Sequence, residues 1–219
     1  IERSYQKAGW DLRNSESEKG VFPTFFDLLD ILPGVIEESH YSKDTQSDYV
    51  GALCTRVKSL TNGIYGSVFC AEDALSDAEL FDCNVVVDLS RVGSMETKSL
   101  LMGILVMKLQ EYRMCGSEMN SRLRHVTVLE EAHNLLRKTS AEQPQEGANL
   151  QGKSVEMLAN AIAEMRTYGE GFIIADQAPG LLDMSVIRNT NTKIILRLPD
   201  EEDRKLVGKS AALKEAQID

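Results

Sequence analysis

The spacing of hydrophobic and polar residues divides the sequence into two parts. Residues 1–82 show mostly helical spacing, broken by polar stretches at 14–20 and 37–48. Residues 83–219 alternate short β-branched runs with amphipathic segments, the pattern typical of a mostly parallel α/β sheet. We therefore predict a mainly helical subdomain over 1–82 and an α/β core over 83–219.

Four apolar runs in the second part predict the strands of the sheet. They are rich in Val, Ile and Leu, as expected for strands buried on both faces. The predicted strands are Val85–Leu89, Val126–Leu129, Gly171–Ala175 and Lys193–Leu198. Helices are predicted at about 96–114 and 155–167, and a polar loop without periodicity at 137–153.

Two further helical signals are specific. Within Phe22–Leu29, Thr24 is a candidate N-cap and Asp27 occupies the third helical position, which is the capping-box arrangement. The apolar run Leu100–Met107 is far too short to span a bilayer and predicts a buried helix face.

The composition is that of a globular protein, because 42% of the 219 residues are hydrophobic and 26% are charged. The four cysteines lack CxxC spacing and the three histidines form no ligand set, which predicts reduced core thiols and no zinc site. The net charge of −10 disfavours broad contact with nucleic acid but is compatible with a ring whose channel alone is basic. No targeting or membrane segment is recognised, and we expect a cytoplasmic location.

The most informative stretch is His125–Leu136, in which a β-branched run leads directly into Glu130 and Glu131. In an open α/β sheet, ligands bind at the carboxyl ends of the strands. Two adjacent carboxylates repel each other unless a cation or a water-activating role makes use of them. The pattern indicates a nucleotide-hydrolysing site, with a solvated acidic turn as the structural alternative.

Residues 147–154 (Gly-Ala-Asn-Leu-Gln-Gly-Lys-Ser) match the Walker A pattern. A phosphate-binding loop requires a buried strand that leads into it, and the residues before Gly147 are polar. We therefore interpret the match as a coincidence, and we predict that Lys153 does not bind phosphate.

The order of the motifs resembles the HerA/FtsK group of P-loop ATPases, and HerA-type DNA translocases most closely. The resemblance covers most of the chain, and the Glu-Glu-Ala-His sequence at 130–133 corresponds to the Walker B motif of that group. The matching segments are Tyr5–Asp11, Val85–Ser90, His125–Leu136, Ile162–Gly171, Ile173–Pro179 and Asn189–Asp203.

The resemblance implies a RecA-like fold, with a mostly parallel sheet flanked by helices and a helical N-terminal insertion. In that group the Walker A strand and loop precede every segment matched here. We therefore expect the P-loop strand to be absent from this chain, and the chain alone to be inactive or much weakened. The missing strand would lie between Gly171–Ala175 and Lys193–Leu198.

The resemblance assigns roles to three residues at the strand ends. Glu131 is the expected catalytic base that polarises the attacking water. Glu130 is expected to hold Mg²⁺ through the water shell of the ion, and no other metal site is expected. Gln177 is expected to sense the γ-phosphate of ATP or to orient the water, with a polar strand-end cap as the alternative.

The roles that we expect for two arginines and a histidine are less specific. Arg166 is a candidate arginine finger that reaches the nucleotide of an adjacent subunit, with a solvated helix end as the alternative. Arg197 lies inside a predicted strand, where it either contacts nucleotide or pairs with an acid. His133 is expected to pack against the following helix rather than to take part in the chemistry.

Together these expectations predict an ATPase that drives double-stranded DNA through a homo-hexameric ring. ATP and Mg²⁺ are the expected cofactors, and a nuclease is a possible partner. A conjugative or type IV secretion ATPase is the first alternative. The second is a regulatory domain that keeps the fold without turnover.

Overall fold

The computed structural model describes residues 1–14, 16–17, 20–71, 74–116, 118–138 and 146–218, and side chains are described everywhere in these ranges except 146–153. The chain forms two compact units, Ile1–Ala74 and Leu75–Asp219. The division falls eight residues before the predicted boundary. Phe81, which follows the division, is 7% exposed and belongs to the core of the second unit.

The first unit is mainly helical, as its apolar spacing predicts. Its elements are α1 (Glu2–Lys7), β1 (Trp10–Asp11), β2 (Glu16–Ser17), α2 (Phe25–Glu37), α3 (Lys43–Thr61) and α4 (Gly63–Phe69). Helix α2 begins after Thr24, whose backbone N–H donates to Asp27 Oδ2 over 2.7 Å. The predicted N-cap is confirmed, and this backbone hydrogen bond lowers the pKa of Asp27 from its usual value.

The second unit combines helices with a small parallel sheet. Its elements are α5 (Asp77–Phe81), α6 (Met95–Gly116), β3 (His125–Glu130), α7 (Glu146–Met165), β4 (Glu170–Ala175), α8 (Met184–Asn189), α9 (Glu201–Ser210) and α10 (Glu215–Ile218). Three 3₁₀ turns, Ala132–Asn134, Arg166–Tyr168 and Pro179–Leu181, connect these elements.

Strands β3 and β4 are parallel, and His125 pairs with Glu170 at one end while Glu130 pairs with Ala175 at the other. The strands predicted at 126–129 and 171–175 are therefore confirmed. Helix α7 lies between them in the chain, which makes a strand–helix–strand unit. A mixed α/β architecture is shown at this level.

The other two predicted strands are wrong for this structure. Val85–Leu89 and Lys193–Leu198 have no strand assignment, and both are largely exposed, with Val86 93% and Ile194 88% accessible. A β-branched run becomes a buried parallel strand only when a neighbouring strand pairs with it and both faces are covered. The sheet of β3 and β4 has no third strand among the described residues.

The core of the second unit lies between the sheet, α6, α7 and α8. Met102, Val106 and Leu109 line the buried face of α6, and the first two lie within the run at 100–107 that predicts such a face. The remaining core residues come from α5, β3, the turn after it, α7, the segment before α8 and α8 itself: Phe81, Leu129, Ala132, Leu135, Leu136, Leu158, Ala159, Met165, Leu182, Val186 and Ile187. This packing fixes the turn that follows β3.

The predicted loop over 137–153 is partly wrong, because α7 begins at Glu146. Residues 139–145 lie outside the described part of the chain. The Walker A-like stretch 147–154 therefore has a helical backbone. A phosphate-binding loop instead curls its backbone N–H groups around the phosphates before its helix begins, so the helix supports the interpretation of coincidence.

All four cysteines are free, but Cys83 and Cys115 are exposed rather than in the core. Among the described residues, no helix combines the length and the apolar character needed to cross a membrane.

Candidate functional site

The parallel register of β3 and β4 brings four polar side chains together at the carboxyl ends of the strands. Glu131 follows β3 directly, and Asp176 and Gln177 follow β4. His133 lies in the 3₁₀ turn after Glu131. We call these four residues, Glu131, His133, Asp176 and Gln177, the carboxyl-end cluster.

Glu131 has a left-handed backbone conformation, with φ 49° and ψ 47°. For a residue other than glycine this conformation costs about 1 kcal/mol or more, and such strain is concentrated at functional sites. The Asn134 N–H donates to the Glu131 carbonyl over 2.9 Å, and this bond holds the turn. The conformation directs the chain away from the sheet immediately after the strand ends.

Gln177 makes direct contact with Glu131 across the strand ends. The Gln177 Nε2 amide donates to Glu131 Oε1 over 2.6 Å, although the two residues lie 46 positions apart. The Glu131 side chain is 46% exposed, so this bond forms at the surface of the sheet edge. The structure therefore brings together two of the three residues predicted to be catalytic.

Asp176 is the buried member of the cluster, with a side chain that is only 3% exposed. Its Oδ2 atom accepts from the His133 backbone N–H over 2.8 Å and faces His133 Nδ1 at 2.9 Å. Its Oδ1 atom accepts from the Ala178 N–H over 2.9 Å. One carboxylate therefore ties the turn after β3 to the turn after β4.

His133 makes polar contacts that its sequence position does not reveal, and the expectation that it takes no part in the chemistry stays a prediction. Its side chain is 18% exposed, and Nδ1 lies 3.6 Å from Glu131 Oε2 as well as against Asp176. An ionised carboxylate only accepts hydrogen bonds, so a hydrogen bond between an ionised Asp176 and His133 Nδ1 requires the proton on Nδ1. The contact was hidden from sequence reasoning because it depends on the turn geometry after Glu131.

Glu130 is exposed at the end of β3, next to the buried Leu129. The described residues contain no group of three or more His, Cys, Asp or Glu side chains arranged to hold a metal ion. A magnesium ion that enters with nucleotide keeps several waters and uses one or two carboxylates, so a complete protein cage is not required. The role expected of Glu130 stays a prediction.

The two predicted arginines lie outside the cluster. Arg166 is exposed in the turn before β4, and the six-residue strand separates it from Gln177 by roughly 20 Å. It cannot act on a ligand at Glu131 of its own chain. Arg197 lies in the exposed segment before α9 rather than in a strand, so no burial cost requires it to be paired.

A second group of charged side chains lies at the opposite, amino-terminal end of the same sheet. The Glu170 carboxylate is fully buried and accepts from Arg113 Nε over 2.9 Å and from Thr127 Oγ1 over 2.7 Å. His125 Nδ1 lies 2.8 Å from the same carboxylate. Arg113 Nη1 also donates to Asp82 Oδ1 over 2.6 Å.

We call these five residues, Asp82, Arg113, His125, Thr127 and Glu170, the amino-end network. The Tyr112 hydroxyl donates to Asp82, and together with Arg113 it lowers the pKa of that carboxyl. A cavity of about 130 Å³ opens beside the network. Sequence reasoning missed this network, because its members come from four separate segments.

Comparisons with known proteins give no match: no family model, no curated protein and no solved structure matches this chain.

Proposed function

We propose that this chain carries the hydrolytic part of an ATPase site of the HerA/FtsK type, in which Glu131 activates water. The observation that carries the proposal is the 2.6 Å hydrogen bond between Gln177 and Glu131 across the ends of two parallel strands. By the resemblance to that group, β3 and β4 correspond to the Walker B and sensor strands of a RecA-like sheet. Their adjacency and parallel direction support that assignment.

The contacts of the Glu131 carboxylate suit a general base. Oε1 is held by the Gln177 amide, whereas Oε2 has no hydrogen bond within the described residues. Oε2 is therefore the oxygen that takes a proton from water as the water attacks the terminal phosphate. The leaving group is the nucleoside diphosphate, and the proton departs with the products.

Magnesium and nucleotide phosphates also have to be accommodated. Glu130 is exposed beside Glu131 and would hold Mg²⁺ through its water shell, where the ion would neutralise phosphate charge. The phosphate-binding loop is the missing component, since the described residues contain none. The edge of β4 that does not pair with β3 is where we propose that a Walker A strand lies.

The larger activity that we propose is ATP-driven movement of double-stranded DNA through a homo-hexameric ring in the cytoplasm, with a nuclease as a possible partner. In such a ring Arg166 would complete the site of the next subunit, which is compatible with its distance from Glu131 in its own chain. The net charge of −10 requires that any DNA contact be made by a locally basic surface.

The proposal is tested by replacing Glu131 with Gln in the full-length protein. Glu131→Gln keeps the size and the polarity of the side chain and removes the base, so ATP hydrolysis should fall about 100-fold or more while nucleotide binding is kept. Magnesium-dependent phosphate release and nucleotide affinity are the two measurements. Glu111→Gln, an exposed change on α6, is the matched control.

Two outcomes would contradict the proposal. Near wild-type turnover of Glu131→Gln would remove Glu131 from the mechanism. Absence of nucleotide binding and hydrolysis in the wild-type protein would favour a regulatory domain that keeps the fold without turnover.

A further inference from the structure

The Asp176 carboxylate has three polar contacts at the carboxyl end of the sheet, with His133 and Ala178, and none of them is with the side chain of Glu131 or Gln177. Its two oxygens accept backbone N–H groups from the turn after β3 and from the turn after β4. The relative position of the Glu131 and Gln177 backbones therefore depends on one buried carboxylate. Burial strengthens these bonds, because little water competes for the acceptor.

His133 extends this link from the backbone to the Glu131 side chain. Asp176 Oδ2 lies 2.9 Å from His133 Nδ1, and Glu131 Oε2 lies 3.6 Å from the same nitrogen. At 3.6 Å the carboxylate oxygen is near the N–H dipole but does not form a hydrogen bond with it. The oxygen is therefore attracted towards a fixed position while its lone pairs remain open to water.

We propose that His133 and Asp176 are positioning residues that hold Glu131 Oε2 ready to accept the proton of the attacking water. This inference rests on the proposed function and deepens it. Gln177 fixes one oxygen of Glu131 by a hydrogen bond, and the His133 Nδ1–H dipole orients the other without capping it. Asp176 acts through His133 and through the two turns.

The role of Nδ1 can be separated from that of Nε2 by two substitutions of similar size. The Asn side-chain amide N–H can take the place of Nδ1, whereas the Gln amide reaches the place of Nε2. His133→Asn should therefore keep kcat within about 3-fold of wild type, because a donor to Asp176 remains. His133→Gln should lower kcat about 10- to 100-fold with KM unchanged, as expected for an outer residue that orients a reacting group.

The experiment measures kcat and KM for ATP hydrolysis by the full-length protein, with Glu131→Gln as the inactive reference and melting temperatures as the folding check. Equal losses for His133→Asn and His133→Gln at unchanged melting temperature would overturn the inference, because a donor at the Nδ1 position would then not preserve turnover. Normal turnover of His133→Gln would also overturn it while leaving Glu131 as the base. A wild-type protein without hydrolysis would instead refute the proposed function.

A second measurement does not depend on how the variants fold. The ¹⁵N shifts of the two ring nitrogens of His133 report which one carries the proton in the neutral ring. The inference requires the proton on Nδ1, where Asp176 accepts it. A neutral ring with its proton on Nε2 would overturn it.

Discussion

Ionisable side chains lie at both ends of the sheet formed by β3 and β4, but the two groups differ in burial and in hydrogen bonding. At the amino end, the buried Glu170 carboxylate contacts Arg113, His125 and Thr127. At the carboxyl end, Glu131 is half-exposed, has a left-handed backbone and keeps one oxygen without a hydrogen bond among the described residues. The same two strands supply both groups.

This difference in burial and hydrogen bonding indicates that the amino-end network stabilises the fold, whereas the carboxyl-end cluster is available for chemistry. A buried charge is tolerated only when hydrogen bonds and opposite charges surround it, and the amino-end network meets that condition. The carboxyl-end cluster has His133 as its only basic group and carries local strain at Glu131, which does not favour the folded state. We expect changes at the amino end to alter stability and changes at the carboxyl end to alter turnover.

The largest stability effect is expected from breaking the amino-end network at Arg113. Arg113→Ala removes the guanidinium that pairs with Glu170 and Asp82 and leaves the Glu170 charge buried. The free energy of unfolding should fall by about 3–5 kcal/mol, measured by urea denaturation followed by circular dichroism.

Arg124→Ala is the matched control at the same end of the sheet. Arg124 is exposed, so its replacement should change the free energy of unfolding by less than about 0.5 kcal/mol. If the two variants unfold at the same urea concentration, the network does not stabilise the fold and the comparison fails.

A smaller effect of opposite sign is expected at Glu131. Glu131→Gly relieves the left-handed backbone and should raise the free energy of unfolding by up to about 1 kcal/mol while it abolishes hydrolysis. Glu130→Gly changes the preceding residue, which lies in β3. This variant should instead lower the free energy of unfolding by roughly 0.5–1 kcal/mol, since glycine in a strand loses more conformational freedom on folding than other residues do. Urea titration of the pair gives both values, and a loss of stability in both would show that Glu131 stores no strain.

The sequence predicted those parts of the structure that depend on local pattern. The apolar run on α6 and the Thr24 cap each specify their element without distant partners. The β-branched run before Glu130 forms the predicted strand because β4 pairs with it. The contact between Glu131 and Gln177 was also predictable, because the carboxyl ends of parallel strands lie at the same edge of a sheet.

The remainder depends on partners that a local pattern cannot supply. Val85–Leu89 and Lys193–Leu198 have strand-like sequences but no neighbouring strand among the described residues, so propensity alone misassigned them. Arg113 and Glu170 lie 57 positions apart, and nothing in either segment marks the other as its partner.

The central claim is that Glu131 and Gln177 form one hydrolytic unit, and a double-mutant cycle on ATP turnover tests it most directly. Gln177→Ala should lower kcat about 10- to 100-fold in the wild-type background and have almost no effect when Glu131 is already Gln, because residues that act as a unit are not additive. The measurement is kcat for wild type, both single variants and the double variant at saturating ATP and Mg²⁺. Equal fold-losses from Gln177→Ala in both backgrounds, or no loss in either, would contradict the account.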